Sequence, residues 1–221
     1  MAGRENDFVY TIPIRASNER AHHSRYTASL GLPFGVDPST MDPQPTIALT
    51  SEELAEGARA WSAAEGDAPR LLVNISSLNE CRRWDDGSYA TALRGIRRQR
   101  PDVRIGIIGG PGDELRATAL ARSVGAIAMV PPLRVAFATV ATANVLFTPD
   151  TSMGHAAAAL GTPVVVMLPT GHEPLVPAGV AVMPLFGEGG HIRSIPGERA
   201  EAAILEMLAR VTPLSSASTA R

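Results

Sequence analysis

The chain contains no lysine; all 20 of its basic residues are arginine. Schiff-base chemistry and a standard Walker A loop both need a lysine amine, so both are excluded. A single cysteine, Cys81, rules out a disulfide framework and any cysteine-built zinc site. An excess of charge of one sign is also missing. The formal net charge of −2 creates no field that would gather nucleic acid or an anionic membrane, and neither is expected as a partner. No apolar run approaches the roughly 18 residues of a membrane span, because Pro131, Pro132 and Arg134 interrupt the most apolar region. The N-terminal Met-Ala-Gly-Arg-Glu-Asn-Asp has no secretory apolar core, and the expected location is the cytoplasm.

What is present is a globular composition, 45% hydrophobic and 19% charged over 221 residues. That length gives one generous domain, or one domain with an appendage, able to bury roughly 70% of its unfolded surface without covalent or metal support. Three zones separate along the chain. Residues 1–50 hold a short apolar run (Phe8 to Ile14), a polar stretch with helical potential (Glu19 to Leu30), and a linker broken by Pro33, Pro38, Pro43 and Pro45. Residues 51–211 are regular. Residues 212–221 form a serine- and alanine-rich tail, expected to be disordered. There is no internal repeat.

The central zone alternates strand and helix signals. Ser51 opens a helix with Glu52 and Glu53 in its first turn, where carboxylates suit the helix dipole. Strands are expected at Leu71–Ile75, Val103–Ile108, Ala126–Val130, Val145–Thr148 and Pro163–Leu168, with a short one at Val180–Met183. Helices are expected near Ser88–Arg100, Asp113–Ser123, Leu133–Thr142, Ser152–Leu160 and Gly197–Val211. Short apolar strands joined by helices imply a parallel sheet covered on both faces, a doubly wound, Rossmann-like α/β domain. Ligands of such sheets sit beyond the carboxyl ends of the strands, which directs attention to the loops after Ile75, Ile108, Val130, Thr148 and Leu168.

Four of these loops carry chemistry. After Thr148, Pro149-Asp150-Thr151-Ser152-Met153-Gly154-His155 enters a helix through a capping residue, Asp150 or Thr151, and the helix's unsatisfied first-turn N–H groups favour an anion. The same residues read equally well as a plain N-cap, a steric glycine and a surface histidine. After Ile75, Ser76 and Ser77 precede Arg82-Arg83-Trp84, a guanidinium pair suited to a diphosphate beside an anchoring tryptophan, or else a solvated basic pair. After Ile108, Gly109-Gly110-Pro111-Gly112-Asp113-Glu114 lacks the full GxGxxG spacing, so NAD is not inferred; Asp113 or Glu114 suits ribose hydroxyls, or simply the start of a helix. His172 and Glu173, between Pro169 and Pro174, border this edge without making a metal centre, and His22-His23 reads as surface. No cofactor and no metal are expected.

The stretch from Phe147 to Pro163, with Asp150-Thr151, His155, the alanine run Ala156 to Ala159, Leu160-Gly161 and Pro163, resembles the donor-binding half of the heptosyltransferases of glycosyltransferase family 9. The family pattern is Asp-Thr-Gly-x-x-His followed by small residues, Leu-Gly and Pro; Ser152 stands at its glycine. Arg82-Arg83-Trp84 falls where the family has Lys-Arg-Trp, Gly109 to Glu114 is similar to its Gly-x-Pro-x-Glu turn, and Pro169-Thr170 followed by Pro174 is similar to its Gly-Pro-Thr-x-Pro loop. The resemblance covers roughly residues 50–210.

It implies the carboxyl-terminal half of a GT-B glycosyltransferase of lipopolysaccharide biosynthesis. A nucleotide-activated sugar, usually ADP-heptose, would be transferred with inversion and without a metal to a glycan or other hydroxyl acceptor. Asp150 would then meet sugar hydroxyls, and Thr151 with the helix start (Ser152, Met153, Gly154) would hold the diphosphate. His155 would support that end, and Arg82 would replace the family lysine at the leaving diphosphate. Ser76, Arg83, Asp113 and Glu114 complete the implied donor set. The family's acceptor domain and general base precede this region by well over a hundred residues, so residues 1–50 resemble only a remnant of that domain plus linker, and Asp7 is not identified as the base. The chain is then a fragment, a separately encoded half that associates with an acceptor domain or with itself, or a degenerate relative. Alternatives are a non-catalytic nucleotide-sugar-binding module and another GT-B-shaped enzyme such as a UDP-N-acetylglucosamine 2-epimerase relative.

Overall fold

The computed structural model describes residues 27–40, 44–61 and 68–211. The apolar run Phe8 to Ile14, most of Glu19 to Leu30 and the tail 212–221 lie outside the described residues. The elements are α1 (Ser51–Arg59), β1 (Arg70–Asn74), α2 (Asp86–Gln99), β2 (Arg104–Ile108), α3 (Glu114–Val124), β3 (Ile127–Met129), α4 (Leu133–Ala141), β4 (Val145–Pro149), α5 (Ser152–Leu160), β5 (Val164–Pro169), β6 (Val182–Gly187) and α6 (Gly197–Val211). Short 3₁₀ turns occupy Ser29–Phe34, Glu80–Arg82, Glu173–Leu175 and Ile192–Ser194.

All six strands are parallel, in the order β3-β2-β1-β4-β5-β6. The order runs outward in both directions from β1 and β4, so the topological switch point lies between their carboxyl ends. The strands read as unbroken apolar runs because helices cover both faces. On one face, Leu71, Val73, Ile105, Ile107, Phe147, Val165 and Met167 pack against residues of α2, α3 and α6 such as Leu93, Ile96, Leu120, Ile204 and Leu208. On the other, Leu72, Leu146, Val164, Val166 and Leu168 meet Trp61, Val140 and Ala157. The two-residue period of a strand thus divides each run between two cores.

Local signals set the ends. Thr50 and Glu53 form a reciprocal capping box at α1, with Glu53 N–H donating to Thr50 Oγ1 at 3.2 Å and Thr50 N–H to Glu53 Oε2 at 2.8 Å. Helices α3 and α5 stop at Gly125 and Gly161, both left-handed, with φ of 66° and 78°. The main difference from the sequence-based expectation is β6, which begins and ends later than Val180–Met183 and includes Pro184. As the outermost strand pairing only with β5, it accepts a proline that a central strand would reject. Among the described residues no helix is long and apolar enough to cross a membrane.

Candidate functional site

A cavity of about 640 Å³ opens at the carboxyl end of the sheet, over the β1–β4 switch point. Three loops form it. The loop after β1 brings Ser76, Ser77, Leu78, Asn79, Arg82 and Arg83; the turn after β2 brings Gly110 to Asp113; the start of α5 brings Asp150 to Met153, with Leu133 at the rim.

Asn74, the last residue of β1, ties this edge together. Its register places it beside Thr148 of β4, since Val73 pairs with Phe147. Only 2% exposed, its amide donates to Thr148 Oγ1 (3.0 Å) and Thr151 Oγ1 (3.1 Å), and its Oδ1 accepts from Ser76 N–H (3.1 Å). The Tyr89 hydroxyl donates to the Asn74 carbonyl at 3.1 Å, and burial pushes that phenol well above its ordinary pKa, keeping it a neutral donor. Thr151 is the N-cap of α5: its Oγ1 accepts from Met153 N–H at 3.4 Å. Its hydroxyl is therefore shared among Asn74, Thr148 and its own helix, and what α5 offers the cavity is its backbone N–H end and positive dipole.

Arg82 leans across the cavity from the 3₁₀ turn Glu80–Arg82. Its Nε lies 3.2 Å from Asp150 Oδ2, and its Nη1 donates to the Asp150 carbonyl at 3.3 Å. The buried Nε is close to the carboxylate but not aligned as a hydrogen bond, so this contact is mainly charge. Trp84 fixes the loop that presents Arg82. It is fully enclosed, stacks edge to face on Tyr89 and Phe147 with centroids 4.7 and 5.6 Å away, and donates from its indole to the Ile195 carbonyl at 2.9 Å. Arg83 stands at the cavity's exposed edge, donating to the Ser77 carbonyl at 3.3 Å.

Asp150 is 4% exposed and receives a second contact, from His172 Nδ1 at 2.9 Å on the same Oδ2. On the far side, Asp113 turns inward: its Oδ2 accepts from the Ser76 hydroxyl and from Gly110 N–H (3.0 Å). Asp113 caps nothing with its side chain and serves the turn instead.

Of the residues expected from sequence, Ser76, Arg82, Arg83, Asp113, Asp150, Thr151, Ser152 and Met153 line one cavity. Glu114, Gly154 and His155 are not among its lining residues. Glu114 is exposed on the first turn of α3, whereas its neighbour Asp113 takes the inward position. Gly154 is buried under Pro177, where an added Cβ would stand 3.3 Å from Pro177 Cγ, and His155 lies a turn along α5 from its open end. Sequence reasoning did not single out Asn74 and left His172 at the border. A polar residue ending an apolar strand at a switch point was the available signal for Asn74; for His172 the loop after β5 placed it at this edge, but nothing in the sequence pairs it with Asp150, 22 residues away. Among the described residues no group of three or more His, Cys, Asp and Glu side chains is placed to share a metal ion.

Comparison with known proteins adds to this geometry. The sequence model of glycosyltransferase family 9 (heptosyltransferase) matches residues 9–176, starting earlier and ending sooner than the motifs alone suggested. No curated protein matches in sequence. Among solved structures, the chain is similar to a family 9 glycosyl transferase from Veillonella parvula (TM-score 0.74, 16% identity, covering 90% of this chain and 63% of that one). It is also similar to the ADP-heptose LPS heptosyltransferase II of E. coli (TM-score 0.61, 16% identity, 75% and 54%). A third is the E. coli heptosyltransferase WaaC with ADP-2-deoxy-2-fluoro heptose (TM-score 0.61, 17% identity, 90% and 60%). The chain thus spans between 54% and 63% of the length of these structures, and at such identities their likeness speaks for the fold. The family rests on the sequence match, which covers most of the chain: this protein belongs to glycosyltransferase family 9, the heptosyltransferase family.

Proposed function

We propose that the cavity at the switch point binds a nucleotide diphosphate sugar, ADP-heptose, as donor for inverting, metal-independent transfer to a hydroxyl of a glycan acceptor in lipopolysaccharide assembly. The observation that carries this reading is the convergence of a helix N-terminus, a guanidinium and a buried carboxylate on one cavity, at Ser152–Met153, Arg82 and Asp150. A diphosphate suits the first two, since the N–H groups and dipole of α5 and the Arg82 fork both select oxyanions. An ionised carboxylate accepts only, so Asp150 suits sugar hydroxyls rather than phosphate. The apolar side chains of Leu78, Leu133 and Met153, lining the same cavity, suit a flat base.

In transfer, an acceptor oxygen attacks the anomeric carbon from the face opposite the diphosphate, and the bond to the diphosphate oxygen breaks with its electron pair. The negative charge that develops on that oxygen meets Arg82 and the α5 terminus, which supply the compensation a cation would otherwise give. The acceptor's proton goes to a base outside the set placed here. The test is calorimetry with ADP, UDP, GDP and ADP-heptose, followed by a liganded structure. ADP and ADP-heptose should bind in preference to the others, with the diphosphate at Ser152 and Arg82. A nucleotide seated elsewhere, or a preference for UDP, defeats the reading, the latter in favour of a UDP-sugar enzyme.

A further inference from the structure

Asp150 is a buried carboxylate whose two visible contacts fall on one oxygen. Arg82 Nε, at 3.2 Å and poorly aligned, gives Oδ2 charge without direction. His172 Nδ1, at 2.9 Å on the same Oδ2, gives direction. A carboxylate on a fixed backbone still turns about its Cβ–Cγ bond, a broad and roughly two-fold torsion. One aligned donor on Oδ2 stops that turning and sets where Oδ1 points.

The histidine is itself held. His172 N–H donates to the Pro169 carbonyl at 3.2 Å, and Thr170 N–H reaches across to the Gly187 carbonyl of β6 at 3.1 Å. Gly171, left-handed at φ 93°, donates its N–H to Glu173 Oε1 at 3.2 Å. This turn carries the chain from the end of β5 back over the end of β4, where Asp150 sits. In the Pro169-Thr170…Pro174 stretch the residues Gly171-His172-Glu173 make that return. An ionised Asp150 accepts only, so a neutral His172 must carry its proton on Nδ1.

We propose that His172 is a positioning residue for sugar recognition: it clamps Oδ2 of Asp150 so that Oδ1 is presented to the hydroxyls of the donor sugar. The inference rests on the reading of Asp150 as the sugar-facing acceptor in the proposed function. It assigns specificity for the sugar to a contact between the β4 and β5 loops, separate from the diphosphate contacts of Arg82 and α5.

The experiment compares ADP with ADP-heptose by calorimetry on the whole chain and on His172→Ala, His172→Asn and His172→Gln, with each variant's Tm recorded. An asparagine amide nitrogen falls near the place of Nδ1, whereas a glutamine nitrogen falls near that of Nε2. His172→Ala should weaken ADP-heptose roughly 10-fold, the scale of a lost hydrogen bond to a charged group, and change ADP by less than about twofold. His172→Asn should recover most of the loss and His172→Gln should not. Should the alanine variant fail to fold, the asparagine–glutamine difference decides alone. Equal losses for both ligands, no loss, or equal behaviour of Asn and Gln overturns the inference, as does wild-type affinity for ADP-heptose no greater than for ADP. Failure of the wild-type chain to bind ADP at all would instead remove the proposed function beneath it.

Discussion

Removing the Arg82 guanidinium should separate ligand binding from fold more cleanly than any other change in the cavity. In Arg82→Ala, a diphosphate loses a charge-assisted donor, a loss of about 1.5–3 kcal/mol, or roughly 10- to 150-fold in Kd. The fold loses less. Arg82 sits on a 3₁₀ turn held by Trp84, whose ring contacts and bond to the Ile195 carbonyl do not involve the guanidinium. Asp150 keeps His172 as partner, although its carbonyl and Oδ2 each lose a neighbour. We therefore expect Tm to fall by a few degrees while ADP affinity falls by an order of magnitude or more. Arg83→Ala is the comparison: it lines the same cavity, but its side chain is 47% exposed and engaged by Glu80 and the Ser77 carbonyl, so ADP affinity should fall less than in Arg82→Ala. Calorimetry on both variants, with thermal melts, gives the readout. Equal small losses at both positions would return the pair to a solvated surface role.

Asn74→Ala should destabilise the fold by about 2–4 kcal/mol in urea unfolding, because it removes the bonds to the Thr148 and Thr151 hydroxyls and the acceptor of Ser76 N–H together; a loss under about 1 kcal/mol would show that water replaces the amide. Gly57→Ala should lower stability by about 1–3 kcal/mol, since its Cβ would stand 2.4 Å from the Ala138 carbonyl carbon of α4, a backbone atom that cannot swing aside; an unchanged Tm would mean that α1 is free to shift. Acid sensitivity should track Glu53: its hydrogen bond from Arg134, and then that from Thr50 N–H, hold its pKa at about 2 instead of 4.5. A lowered folded-state pKa contributes stability above the unfolded value that is lost as pH falls from about 4.5 towards 2, and Glu53→Gln should flatten the stability profile across that window.

The legible parts of the chain were those decided by short-range physics. Ser152–Leu160 was set by a capping threonine and a terminal glycine, and the strands by apolar runs of the right length. The last strand lies at Val182–Gly187 instead of Val180–Met183; a strand that contains a proline fits only an edge, and the strand order alone reveals that edge. The loops that line the cavity followed from the rule that ligands meet parallel sheets at their carboxyl ends, which needs fold class but no coordinates. The contacts of Asn74 and His172 escaped for a different reason. Each acts on a residue of β4 or just beyond it, Asn74 from β1 and His172 from the β5 loop, and both depend on which strands are neighbours. Sequence order places β1 and β4 far apart; the sheet sets them side by side.

The absence of lysine bears on the cavity as well as on composition. A lysine at position 82 would present one ammonium on a flexible stem, a point charge shared between Asp150 and any diphosphate. The arginine distributes its nitrogens: Nε lies beside the Asp150 carboxylate as charge and Nη1 donates to the Asp150 carbonyl, so on the proposed function Nη2 would meet the diphosphate. A guanidinium already anchored through Nη1 loses less freedom when another nitrogen binds. Arg82→Lys therefore keeps the charge while removing the pinning, and should recover only part of the affinity lost in Arg82→Ala. Because Arg82 gives the Asp150 carboxylate charge without direction, the lysine variant should weaken ADP and ADP-heptose alike. Full recovery for both ligands would show that charge alone matters at position 82 and that the contacts to Asp150 are incidental to binding.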